Sequence, residues 1–173
     1  MKTNATKVKG GTIMDAPGSH SETTMRESYR YMECGLDNVV IEGIDIVIDD
    51  AGEQVYCIEN VTSLHKIIAH ALITQEQSVS GKELRFLRTE MGLTQEQLAQ
   101  ILNVARGTIN RWETQRDRIN PTAEFLVRML VAEKLDLDPR MSVEEMAGRC
   151  IWKAERVPIR IEGSDPERYR LAA

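Results

Sequence analysis

The chain has 173 residues, 42% hydrophobic and 28% charged, enough apolar content to bury a core in one ordinary domain or two small ones. It holds no run of about 18 apolar residues, which excludes a membrane-spanning helix, and no basic stretch followed by an apolar one at its start, so a secretory leader is not expected. The formal charge of −5 hides an asymmetry: residues 28–78 carry 2 basic and 9 acidic side chains, net −7, whereas residues 79–118 carry 7 and 5, net +2. Such a division is the cue for one part facing a polyanion and another with a different task.

Residues 1–27 are rich in Thr, Ser, Gly and Lys and show no periodicity, which predicts a disordered arm. From Ser28 to Ile58 β-branched residues dominate (Val39, Val40, Ile41, Ile44, Ile46, Val47, Ile48), and Asp49-Asp50-Ala51-Gly52 is turn chemistry before Gln54–Ile58. This predicts a small antiparallel sheet joined by Tyr29-Arg30-Tyr31. Asn60 is placed to cap a helix reaching about Leu72, whose Val61, Leu64, Ile68 and Leu72 share a face. That helix is expected to cover the sheet, which is marginal alone.

The polar run 73–79 reads as a hinge. Helical spacing then continues to about residue 135, Asp136–Pro139 breaks it, and Ser142 with Glu145 predicts a capping box on a short helix ending near Arg149. Val157–Ile161 alternates apolar with other residues and predicts a last strand. The expected division is thus an arm at 1–27, a small acidic α+β domain at 28–78, a helical domain at 79–135 and a C-terminal helix and tail at 136–173. The fold class is α+β.

The strongest pattern lies between residues 80 and 132. Ser80 and Glu83 form a capping box opening a helix with Leu84, Leu87 and Met91 on one stripe, ended by Gly92. Thr94 caps a short helix, Gln95–Leu102, and Asn103 suits a left-handed turn. A third helix runs from about Arg106 to Thr114, and Pro121 suits the first turn of a fourth. Two short helices joined by a tight turn, with small Ala99 at their crossing, make a helix-turn-helix. Val104 and Ile109 face inward, leaving Arg106, Gly107, Asn110 and Arg111 on the outer face, a set able to meet base edges and phosphates. Arg116 and Arg118, in the loop that follows, are expected to touch phosphates. Trp112 is expected in the core, since stacking on single strands needs several exposed aromatics.

The string LTQEQLAQILNVARGTINRWET, followed by RINPTAEFLVRML, resembles the lambda-repressor/Cro-like helix-turn-helix family, also called the XRE family. The features that carry the resemblance are Thr94-Gln95, Leu98-Ala99, Val104, Thr108-Ile109, Trp112-Glu113 and Pro121, over about 50 residues. It implies a five-helix bundle whose third helix enters the major groove of duplex DNA, within a homodimer on a palindromic operator. It also implies that Arg106, Gly107, Thr108 and Arg111 face bases and that Gln95 contacts phosphate. Ala105 stands where the family often has Ser or Thr, a lost cap worth about 1 kcal/mol.

The whole chain resembles, more weakly, YgiT/MqsA-type antitoxins, through YRYMECGLDNVVIEG and the helix leading into SGKELRFLRTEMGLTQ. Members of that group carry Cys-x-x-Cys zinc ligands. Here only Cys34 and Cys57 fall in the region and no Cys-x-x-Cys occurs, so no metal or other cofactor is expected and the two cysteines are read as small apolar residues of the sheet. Three cysteines without regular spacing fit a reducing cytoplasm. His65 and His70 are five apart on one helix, on different faces, and Asp45, Asp49, Asp50 and Glu53 lack calcium-loop spacing. No nucleophile–base pair is recognisable, so an enzyme is not expected. The function expected is a DNA-binding transcriptional regulator, a repressor. The alternative is an antitoxin whose acidic domain binds a basic toxin while the helix-turn-helix regulates its own operon.

Overall fold

The computed structural model describes residues 6–8, 25–48, 54–150 and 157–172. In chain order the elements are β1 (Thr6–Val8), β2 (Met25–Arg30), β3 (Val39–Ile48), β4 (Gln54–Ile58), α1 (Val61–Thr74), α2 (Gly81–Glu90), α3 (Gln95–Ile101), α4 (Arg106–Glu113), α5 (Pro121–Lys134), α6 (Val143–Arg149), β5 (Ile159–Glu162) and β6 (Arg170–Leu171). Strands at both ends of the chain and helices between them make the fold α+β, as the sequence pattern predicts.

The sheet differs from the expected small antiparallel one. Among the described residues it has six strands built around the long β3, which pairs antiparallel with β2 and β4 and parallel with β5. The parallel register sets Val39 opposite Ile159 and Ile41 opposite Ile161. Ile159–Glu162 and Arg170–Leu171 are therefore part of the same sheet as β3, and the helical segment lies between its strands in sequence. Within the expected disordered arm, Thr6–Val8 pairs with β4 and Met25–Glu27 begins β2; the rest of residues 1–27 lies outside the described residues, as does the turn at Asp49–Gly52.

β3 buries Val39 and Ile41, then Ile44 and Ile46, a change of parity within one strand. Gly43, at φ 75°, sits between the two pairs, and the β2–β3 register slips at the same place, between Glu27 and Tyr29. An extra residue at this bulge returns the second half of β3 to the core face. Helix α1 is capped by Asn60, whose side chain accepts from the Ser63 amide, and buries Leu64, Ile68 and Leu72. The core is continuous from the sheet through α1 into α2, α4 and α5. Tyr31, whose phenol burial pushes above its ordinary pKa, lies 2.9 Å from His65 Nε2, and His65 Nδ1 lies 2.9 Å from Glu90 Oε1, linking sheet, α1 and α2.

The run 73–79 is not a free hinge. Arg128 of α5 is fully buried, and its guanidinium donates to the carbonyls of Ile73 (3.0 Å), Gln75 (2.8 Å) and Gln77 (2.7 Å). Glu124, one turn earlier, accepts from Arg128 at 2.8 Å and from the Val79 amide at 3.0 Å. The Arg149 guanidinium donates to the Thr74 carbonyl. The last carbonyls of a helix have no partner inside it, and the five-donor fork of arginine supplies them here, so the segment is clamped.

The cysteine expectation also needs correction. Cys57 is exposed, and Cys34 sits in the turn after β2, its thiol donating to the Tyr31 carbonyl and pushed up to about 11 by burial. Among the described residues no group of three or more His, Cys, Asp or Glu is arranged to hold a metal ion, and no helix is long and apolar enough to cross a membrane. Of the acidic cluster, Asp45 is exposed on β3, and Asp49, Asp50 and Glu53 lie outside the described residues.

Candidate nucleic-acid interface

The site is built from α3, the turn after it, and α4. Thr94 and Gln97 close a capping box at the start of α3: the Gln97 amide donates to Thr94 Oγ1 at 3.1 Å and the Thr94 amide to Gln97 Oε1 at 2.8 Å. At the other end Asn103 adopts φ 53°, and the Val104 amide returns to the Ala99 carbonyl at 2.9 Å. Asparagine tolerates this left-handed conformation, and the reversal sends the chain directly into α4. Ala105 makes no side-chain cap, as its methyl group dictates.

Helix α4 has two distinct faces. Ile109, Trp112 and Glu113 are buried, while Arg106, Gly107, Asn110 and Arg111 are exposed and Thr108 is half-buried. Trp112 is a core residue, 5% exposed. The packing of α2 fixes how α4 sits: a Cβ on Gly81 would lie 2.2 Å from the Trp112 carbonyl oxygen, so only glycine lets α2 begin against the end of α4.

Glu113 explains why that end does not drift. Its carboxylate accepts from Arg88 Nε at 2.5 Å and Nη2 at 3.1 Å, and Arg88 Nη1 donates to the Leu93 carbonyl at 2.7 Å. A bidentate, nearly buried pair of this kind fixes geometry more firmly than an exposed one. Gln95 Nε2 donates to the same carboxylate at 2.9 Å. The side chain expected on phosphate is thus held at the α3–α4 junction, and a shallow groove there is lined by Arg88, Thr94, Gln95, Glu96 and Arg106.

Of the residues expected to meet DNA, Arg106, Gly107, Asn110 and Arg111 come together on α4, and Gln95 adjoins Arg106 in the groove. Arg116 and Arg118 are exposed in the loop between α4 and α5. Sequence reasoning missed Arg88 and Asp117. Arg88 carries only the signal of a cation in the last turn of a helix, and nothing linear ties it to Glu113, 25 residues on. Asp117, in the loop between Arg116 and Arg118, accepts from Arg111 Nε at 2.6 Å.

A family model described as Helix-turn-helix matches residues 84–139, the span from α2 to just past α5. Neither a curated protein nor a solved structure matches the chain. The capped helix α3, the left-handed turn after it and the polar outer face of α4 all fall inside the matched span. Residues 84–139 are therefore similar to the helix-turn-helix domains of DNA-binding regulators.

Proposed function

We propose that the protein is a transcriptional repressor that binds a palindromic operator as a homodimer, with α4 in the major groove. The observation that carries this reading is the outer face of α4: two arginines, an asparagine and a glycine, all exposed on a helix whose other face is locked into the core. Arg106 and Arg111 read bases, arginine favouring guanine O6 and N7, and Thr108 faces the same groove. Gln95, Asn110, Arg116 and Arg118 set register on phosphates, and Gly107 lets the backbone approach.

A two-fold dimer places its recognition helices one DNA turn apart, about 34 Å, or a multiple of it. Footprinting on a duplex enriched by the protein from a random-sequence pool tests this. Two inverted half-sites separated by about 10 base pairs, or a multiple of a turn, are expected. A single unpaired half-site would remove the homodimer from the reading.

A second reading rests on charge. Residues 28–78 carry net −7, which suits a cationic protein partner, as in an antitoxin that masks a basic toxin and regulates its own operon. Co-purification of a small basic protein from the native host supports it, and repeated pull-downs without one count against it.

A further inference from the structure

We propose that Asp117 is a positioning residue for Arg111 and so a determinant of sequence specificity, an inference that rests on DNA recognition by α4 as proposed above. The two side chains meet because of how α4 ends. Gln115 adopts φ 59°, the Gln115 amide donates to the Trp112 carbonyl at 3.1 Å, and the chain doubles back on the helix. The amides of Arg116 and Asp117 then both donate to the carbonyl of Arg111 itself, at 2.9 and 3.3 Å. The backbone of Asp117 is therefore pinned to the residue whose side chain it meets.

The contact engages one edge of the guanidinium. Arg111 Nε donates to Asp117 Oδ2 at 2.6 Å, and Nη2 lies 3.4 Å from Thr108 Oγ1. The planar group has five donors in fixed directions. With Nε and the adjoining Nη2 hydrogen directed into the protein, the Nη1–Nη2 edge is the one presented outward, and that edge matches guanine O6 and N7. Both partners are about half exposed, 52% and 51%, so the pair adds little to stability, and a carboxylate beside a phosphate-facing surface opposes DNA binding. What the pair supplies is order in a long side chain, whose immobilisation otherwise weakens binding by about 2- to 12-fold.

These two consequences have opposite signs, which makes the role testable. The full chain is titrated with a duplex that the wild type enriches from a random pool and with a shuffled duplex of equal length, for wild type, Asp117→Ala, Asp117→Asn, Arg111→Ala and the Arg111→Ala, Asp117→Ala double variant. Thermal melting of every variant checks the fold. The expected result is that Asp117→Ala binds the shuffled duplex more tightly, while the ratio of enriched to shuffled affinity falls about 2- to 12-fold. Asp117→Asn, which keeps an acceptor without the charge, retains most of the ratio, and in the Arg111→Ala background the change at Asp117 no longer alters it. An unchanged ratio in Asp117→Ala, or an equal fall without Arg111, overturns the proposal while leaving DNA recognition intact. If the wild type enriches no sequence at all, the DNA reading fails and takes this one with it.

Discussion

Gly107 sets the demands of folding against those of the proposed binding. It lies in the first turns of α4 and is exposed, and a Cβ added there would meet nothing within 4 Å. Its φ is not in the left-handed region either, so neither packing nor backbone geometry calls for glycine. Glycine within a helix is less stable than alanine by about 0.5–1 kcal/mol. Gly107→Ala should therefore raise the melting temperature slightly, yet weaken DNA binding if the backbone of α4 approaches a base pair or phosphate at this point. Melting and affinity measured on the same preparation decide it: equal affinity with higher stability would remove Gly107 from the interface. Gly81 is the contrasting case, since any side chain there collides with the backbone of α4.

Between elements, the clamp formed by Glu124 and Arg128 makes the clearest stability claim. Removing one partner of a buried ion pair costs about 3–5 kcal/mol because the other charge is left without compensation. Arg128→Ala also strips donors from the carbonyls of Ile73, Gln75 and Gln77. The expected outcome is a loss of stability in that range by urea unfolding, together with protease cleavage near residues 75–80; a loss below about 1 kcal/mol would contradict the clamp. The clamp also marks where sequence reading stops. The capping boxes at Ser80, Thr94 and Ser142 depend on residues three apart, so they are legible in the string. The partners of the 73–79 run stand 45 to 75 residues away on α5 and α6, and a polar run whose partners are that distant reads as solvated. The turn residues divide the same way: Asn103 announces a left-handed conformation and Gln115 does not, although both adopt it. The meeting of Asp117 with Arg111 depends on that unannounced reversal, so nothing in the string points to it.

At the scale of the molecule, the alternation in 157–161 foretells a strand but not its neighbour. Parallel pairing of β5 with β3 joins segments separated by the whole helical region, and strand partners at that distance leave no periodic mark. The helix-turn-helix was more legible because its helices, caps and turn are contiguous within residues 84–139. Charge follows the same architecture. The chain is acidic overall at −5, with −7 over residues 28–78 and +2 over residues 79–118, so attraction to DNA must come from a local face rather than from net charge. The most direct test is titration of the full-length protein with duplex from upstream of its own gene and with unrelated duplex of equal length, from about 50 to 200 mM salt. Binding to its own upstream sequence about 10³-fold or more tighter than to the control, falling steeply as salt rises, is the predicted result. Equal and weak binding to both duplexes would contradict autoregulation and put the operator elsewhere, and an affinity indifferent to salt would contradict DNA recognition through α4.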